Sequence, residues 1–211
     1  GRTGTGKTDV LHALRARGEQ VLDLEGIGNH KGSAFGAIHE PAQPSQEAWE
    51  NEIAMQWRGI DPGRRLRVED EARLGGRRLI PAGIWEQMTQ APRYVVSISE
   101  ERRLERLVRD YASSNLEELQ AAFDAIKKRL GGKRHQDASR HLAENDLQEA
   151  ARLALSYYDK AYDHALSKAD PERVVLVEDF SEDPDVQAKT LCELDDEMSF
   201  APSPAPAHTS G

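Results

Sequence analysis

Apolar positions Val10, Leu11 and Leu14 recur at helical spacing, and Gly18 follows where a C-cap belongs, so Lys7 to Arg17 is predicted to be a helix. Gln20 to Glu25 alternates and reads as a strand. Gly26 to Pro44 is rich in Gly, Ser, His and Pro and too long for a simple connector, which predicts a loop that binds or covers something. Ser45 is placed to cap a helix running to Trp57, with Trp49, Ile53 and Trp57 at four-residue steps. Arg64 to Asp70 reads as a second strand. A helix follows over Ile80 to Gln90 with Pro81 near its first turn. Arg93 to Ile98 is nearly continuously apolar, which predicts a central strand. The helical period then runs from Glu100 to about Leu166, broken near Ser113 and at Gly131-Gly132, and Arg173 to Val177 reads as a last strand. From about Ser181 the periodicity is lost, and the Pro/Ala/Ser-rich end predicts disorder.

Strands alternating with helices imply an α/β fold with a parallel sheet flanked by helices, and the long helical stretch implies a helical subdomain. The expected division is a domain over residues 1–180 and an acidic, disordered tail over 181–211.

Charge changes the picture more than composition does. The formal net charge is −9. Residues 169–211 hold eleven acids against two bases, so residues 1–168 balance at 26 of each sign. A neutral body can present basic faces to a polyanion. Arg102, Arg103, Arg106 and Arg109 share one helical stretch, with 102 and 106 on one face. Their alternatives are a bidentate phosphate clamp or a solvated face paired with Glu101 and Glu105. Lys127, Lys128, Arg129, Lys133 and Arg134 form a second patch around Gly131-Gly132, suited either to a nucleic-acid backbone or to a charged helix end. Tyr157, Tyr158 and Tyr162 read as packing residues. The single cysteine, Cys192, excludes an internal disulfide and a thiolate metal site. No apolar run spans a membrane and no signal peptide opens the chain, so a cytoplasmic location is expected.

The chemistry is concentrated at the start. Gly1-Arg2-Thr3-Gly4-Thr5-Gly6-Lys7-Thr8 fits the P-loop pattern G-x-x-x-x-G-K-[ST] at every fixed position. Gly1, Gly4, Thr5 and Gly6 would let backbone N–H groups approach phosphate, and the following helix N-terminus adds its dipole. Lys7 would meet the terminal phosphates, and Thr8 would hold a Mg2+ ion bridging them. A P-loop joins a strand to a helix, so the strand before Gly1 is expected to be truncated. Glu69, Asp70 and Glu71 end the second strand in acids, and Glu69 and Glu71 are candidates to hold magnesium or orient water there. Asn29, His30, Lys31 and Ser33 follow the first strand at the end where ligands bind. Gln43, Ser45 and Gln46 are weaker substrate candidates, because a Pro-Ser helix start also explains them.

Taken in order, GRTGTGKT, VLDLEGIGNHKGSAFG, QPSQEAWE and VEDEARLGGRRLIP resemble the C-terminal P-loop domain of the tRNA 2-selenouridine synthase family over residues 1 to about 180. Lys31 stands where the family usually has Arg, and Asp70 and Ala72 stand where it has Ser. The resemblance implies modification of a tRNA wobble uridine, with the sulfur of 2-thiouridine replaced by selenium from selenophosphate through an S-geranylated intermediate. It implies a nucleoside triphosphate or geranyl diphosphate on the P-loop, tRNA as partner, and an upstream rhodanese-like domain carrying the selenium-transfer cysteine, which Cys192 does not replace. The other readings are a small-molecule kinase, from the P-loop and basic helical stretch, and a nucleotide-dependent tRNA-binding module.

Overall fold

In the computed structural model, which describes residues 1–70, 73–178 and 181–198, local capping sets most element boundaries. α1 spans Lys7–Ala16 and follows Gly6, which is left-handed at φ 81°. β1 (Gln20–Leu22) leads directly into a short helix, α2 (Leu24–Gly28), because Asp23 accepts a hydrogen bond from Gly26 N. Ser45 caps α3 (Gln46–Trp57) by accepting from Ala48 N, as the Pro-Ser start predicts. β2 (Leu66–Val68), the hairpin strands β3 (Leu74–Gly75) and β4 (Arg78–Leu79), α4 (Ala82–Gln90) and β5 (Arg93–Val96) follow. The helical stretch divides into α5 (Glu100–Tyr111), α6 (Leu116–Leu130), α7 (Gly132–Ala143) and α8 (Leu147–Leu166). Asn115, Gly131 and Asp146 sit at the breaks, and the last of these was not foreseen from the sequence. β6 (Val174–Val177) and α9 (Pro184–Met198) complete the described chain.

The result is a mixed α/β architecture with short parallel strands. β1 pairs with β2 in parallel, Gln20 opposite Leu66, and β5 pairs with β6 in parallel, Arg93 opposite Val174. The expected parallel sheet is seen as two parallel pairs: among the described residues β1–β2 and β5–β6 are not hydrogen-bonded to each other, and β3–β4 is a separate antiparallel hairpin. β5 is therefore an edge partner of β6 rather than a central strand among the described residues. A carboxylate explains how the two pairs are bridged: Asp195 of α9, only 3% exposed, is gripped by Arg67 of β2 and receives the Tyr94 hydroxyl of β5.

α9 also corrects the expected tail. Residues 184–198 form a helix whose Ala188 and Leu191 join Val10, Leu14, Val96 and Val177 in one buried cluster. The sequence hid this helix because its buried face is short, carries the acid Asp195 and is flanked by exposed acids. Residues 199–211 lie outside the described residues.

A second cluster packs Leu22, Leu24, Trp49, Ile53, Ile80 and Met88 behind β1 and β2. The third is the core of the helical subdomain, where Leu119, Phe123 and Ile126 of α6 meet Ala138 and Leu142 of α7 and Ala150 and Ala154 of α8. Phe35, from the long loop, is part of that third core. No helix of the described residues is long and apolar enough to cross a membrane.

Candidate functional site

The glycine loop Gly1–Thr8 is held between α1, α5 and α8. Gly4 and Gly6 both have φ above +80°, a region where a side chain is strained. A β-carbon at Gly4 would meet the Arg103 backbone at 3.2 Å, and one at Gly6 would meet the Arg106 guanidinium at 2.8 Å. The α5 arginines therefore lie directly over the loop, as their clustering suggests, but they do different things. Arg103 is 2% exposed. Its Nε donates to Thr3 O at 2.8 Å, and its two terminal nitrogens donate to Asp159 of α8 at 2.9 and 2.6 Å. It is a bracket that fixes the loop to the helical subdomain. Arg106 covers Gly6 and pairs with Asp9 of α1. Arg102 pairs with Glu182 at 2.7 Å. Arg2 adds a second tie to α8 through Asp163, whose carboxylate holds the Arg2 guanidinium above its ordinary pKa by hydrogen bonding.

Within the loop, Thr5 is buried and its hydroxyl donates to Arg2 O at 2.8 Å. Lys7 Nζ donates to Gly1 O at 3.1 Å, so the ammonium is folded across the mouth of the loop. The first turn of α1 supplies backbone N–H groups and the positive end of its dipole, an arrangement that accepts anions.

Thr8, Glu25 and Glu69 form a connected row. Thr8 Oγ1 donates to Glu25 Oε2 at 3.5 Å, and Glu25 N donates to Glu69 Oε1 at 2.6 Å. Glu69, 4% exposed, thus helps to cap α2 beside the glycine loop. Asp70, by contrast, faces Arg93 at 3.8 Å. Glu71 lies outside the described residues. Sequence reasoning passed over Glu25. Its position just after a strand end was the available signal. One turn along α1, His12 Nε2 lies 2.9 Å from Asp23 Oδ2, extending the same polar row.

The other substrate candidates form the scaffold of the long loop. Asn29 ends α2 in the left-handed region and donates to Ala42 O at 3.1 Å. Gly32 N donates to His30 Nδ1 at 3.2 Å. Lys31 pairs with Glu40 at 3.0 Å, and Ser33 Oγ accepts from Phe35 N at 3.2 Å. Gln43 bridges Gly28 O and Arg77 N. The amide of Gln46 both donates to Leu79 O at 2.8 Å and accepts from Leu79 N at 2.9 Å, pairing with β4 like an extra strand residue. Ser45 is an N-cap. Three of these neighbouring residues, His30, Gly32 and Gln43, line a small, mostly apolar cavity with Leu24, Trp49 and Ile80.

A larger feature was not visible in the sequence. A half-open cavity of about 60 Å³ lies between Thr3 of the glycine loop, Ser33 of the long loop and the core of the helical subdomain. Its walls are almost wholly apolar, drawn from Leu107 and Tyr111 of α5, Leu119 and Phe123 of α6, and Ala150, Ala151, Ala154 and Tyr158 of α8. Tyr158 accepts from Ala34 N at 2.9 Å and so joins the long loop to α8. Burial pushes Tyr111 up to about 12 and raises Tyr158 as well, so both phenols stay neutral in this wall. The tyrosine expected to be a packing residue is thus also a cleft residue. The i, i+4 pairs Leu107–Tyr111, Leu119–Phe123 and Ala150–Ala154 were the signal that could have pointed to a shared apolar face.

The basic residues Lys127, Lys128, Arg129, Lys133 and Arg134 are all exposed at the α6–α7 corner, away from the glycine loop's own contacts. Among the described residues no group of three or more His, Cys, Asp or Glu side chains could hold a metal ion by itself.

Comparison with known proteins gives a consistent picture. Residues 1–190 match the family described as the tRNA 2-selenouridine synthase AAA domain. A tRNA 2-selenouridine synthase of Shewanella denitrificans is 35% identical over 199 residues, covering 80% of this chain and 53% of that protein. One from Pseudomonas putida is 36% identical over 197 residues, covering 77% and 51% respectively. One from Cupriavidus pinatubonensis is 41% identical over 138 residues, covering 62% and 36%. The chain therefore spans about half the length of the first of these relatives. No solved structure matches it.

Proposed function

This chain belongs to the tRNA 2-selenouridine synthase AAA domain family, and from that premise we propose that it is the P-loop domain of an enzyme converting 2-thiouridine to 2-selenouridine in tRNA. In this reading the glycine loop holds the diphosphate of geranyl diphosphate, and its hydrocarbon tail lies against the apolar wall that begins beside Thr3. The observation that carries the choice of ligand is that Thr3 belongs to both the glycine loop and the cleft. A phosphate cradle continuous with an apolar slot suits a phosphorylated hydrocarbon. A nucleotide would leave its ribose and base facing Leu107, Leu119 and Phe123, which offer no hydrogen bonds.

The step at this site is an alkyl transfer. The thiouridine sulfur attacks the allylic carbon bonded to the diphosphate. A C–S bond forms, the C–O bond breaks, and its electron pair leaves on pyrophosphate. The positive charge on sulfur is removed when the base loses its N3 proton to water. Negative charge grows on the leaving pyrophosphate, and Lys7, the loop amides and Arg106, which lies over Gly6, would neutralise it. The sulfur is a good nucleophile, so no strong general base is required.

The donor set also fits magnesium, which takes few protein ligands beside phosphate oxygens and water. Thr8 would hold the ion, with Glu25 and Glu69 behind it, and the ion would supply charge neutralisation of the diphosphate. Selenium delivery requires a reactive thiolate, and burial raises the thiol pKa of Cys192 in α9, so that role falls to another part of the full-length protein. The exposed bases at the α6–α7 corner are the surface offered to the tRNA backbone.

The test is calorimetry on the full-length protein with geranyl diphosphate, inorganic pyrophosphate and ATP. Geranyl diphosphate should bind most tightly, since each buried methylene is worth roughly 0.8 kcal/mol. ATP binding more tightly, with geranyl diphosphate no better than pyrophosphate, would overturn the reading. Filter binding across salt should show tRNA affinity falling steeply as salt rises.

A further inference from the structure

We infer that Asp9, the residue that follows the glycine-loop motif, is a positioning residue: it holds one terminal nitrogen of Arg106 so that the other stays over Gly6, where a phosphate on the loop would meet it. The inference rests on the reading of the loop as a phosphate cradle, and it concerns what keeps the arginine in place. Arg106 Nη1 donates to Asp9 Oδ2. Nη2 lies 2.8 Å from where a Gly6 β-carbon would stand, and among the described residues it has no hydrogen-bond partner. A guanidinium is a rigid planar fork, so fixing one prong orients the other. A side chain at position 6 would occupy the space that the guanidinium takes, so the glycine that shapes the loop also admits the arginine.

The backbone end of Arg106 is fixed separately. α5 lies against the loop, with Arg103 O 3.2 Å and the Leu107 side chain 3.4 Å from where a Gly4 β-carbon would stand, and the bonds of Arg103 to Thr3 and Asp159 hold it there. The guanidinium depends on Asp9. Asp110 stands one turn further along α5, at the i+4 spacing at which acids and arginines pair, and its contact with Arg109 is a loose one of 3.6 Å. An Arg106 released from Asp9 would turn to Asp110 or to water and leave Gly6. Holding it in advance removes the cost of ordering a long side chain when phosphate arrives. The Asp9 carboxylate also repels an anion, but its side chain is 49% exposed and water screens that repulsion. The Arg106 side chain is only 21% exposed, so its attraction for phosphate is screened less and positioning should outweigh repulsion.

The experiment measures binding of inorganic pyrophosphate, with magnesium present, to the full-length protein and to its Asp9→Asn, Asp9→Glu, Arg106→Ala and Asp9→Asn/Arg106→Ala variants. Asp9→Asn should weaken binding about fivefold while Arg106 is present, and should not weaken it where Arg106 is already alanine, because the group through which Asp9 acts is then gone. Asp9→Glu keeps the charge that holds the guanidinium and should recover most of the loss. Thermal unfolding of each variant separates a weaker site from a smaller folded fraction. Asp9→Asn protein that binds pyrophosphate as tightly as wild type, or more tightly, overturns the inference and leaves the phosphate loop standing. The same loss in both backgrounds also overturns it, since Asp9 would then act without Arg106. Wild-type protein that binds neither pyrophosphate, ATP nor geranyl diphosphate defeats the phosphate-loop reading, and this inference with it.

Discussion

Arg103 and Asp159 form the joint between the glycine loop and the helical subdomain: the nearly inaccessible guanidinium holds both carboxylate oxygens, at 2.6 and 2.9 Å, and also the Thr3 carbonyl. Removing the arginine strands a mostly buried carboxylate and frees the loop. Arg103→Ala should cost roughly 3 kcal/mol of stability, the scale of breaking a buried ion pair. Urea unfolding of Arg103→Ala, Asp159→Ala and the double variant measures it. A double variant as unstable as the sum of the two single ones would show that the pair is not coupled.

Lys7 should matter for ligand and little for folding, because among the described residues its ammonium donates to the Gly1 carbonyl, a group of the glycine loop itself. Lys7→Ala is expected to weaken binding of geranyl diphosphate by roughly 1.5–3 kcal/mol, the scale of a charged hydrogen bond. Calorimetry checks this, and unchanged affinity for every phosphate ligand tested would remove Lys7 from the site.

Gln46 should behave in the reverse way. Its amide completes two hydrogen bonds with the Leu79 backbone and faces the hairpin rather than the glycine loop. Gln46→Ala should lower stability by about 1 kcal/mol, since water can replace its bonds at this half-exposed place. Ligand affinity should stay unchanged in the same preparation. A tenfold loss of affinity with full stability would return Gln46 to the list of substrate contacts.

Deleting residues from 184 onward should destabilise the protein by roughly 3–5 kcal/mol, because it removes buried Ala188 and Leu191 and uncovers Arg67. Deleting only residues from 199 onward should leave the thermal midpoint nearly unchanged. Thermal unfolding of both truncations decides whether α9 is part of the core.

Alkaline pH offers a test of the cleft wall. Burial disfavours the ionised form of Tyr111 and pushes its pKa from 10.0 to about 12. The stabilisation linked to this group is therefore complete below pH 10 and is lost as pH rises towards 12. The loss should reach about 2–3 kcal/mol at full ionisation, on the scale of 1.36 kcal/mol per pH unit. Tyr111→Phe should flatten the fall in stability above pH 10, followed by denaturant unfolding at each pH.

The sequence by itself determined what depends on neighbours along the chain. The glycine loop, the Ser45 cap, the break at Gly131 and the β1, β2, β5 and β6 segments follow from local sterics, capping and apolar period. The order of its motifs was also enough to identify the family. What only the tertiary structure decided are relations between residues far apart in number. Arg103 became a bracket and Arg106 a cover because α5 crosses the glycine loop, although their spacing on the helix is that of a single basic face. Gln43 and Gln46 became scaffold because the hairpin folds back on them. α9 exists because Asp195 finds Arg67 and Tyr94, so an acid that reads as solvated is buried with partners on two separate strand pairs. The apolar cleft has the same origin: its residues look like ordinary core in their own helices, and the empty space between them is a property of packing that no local pattern records.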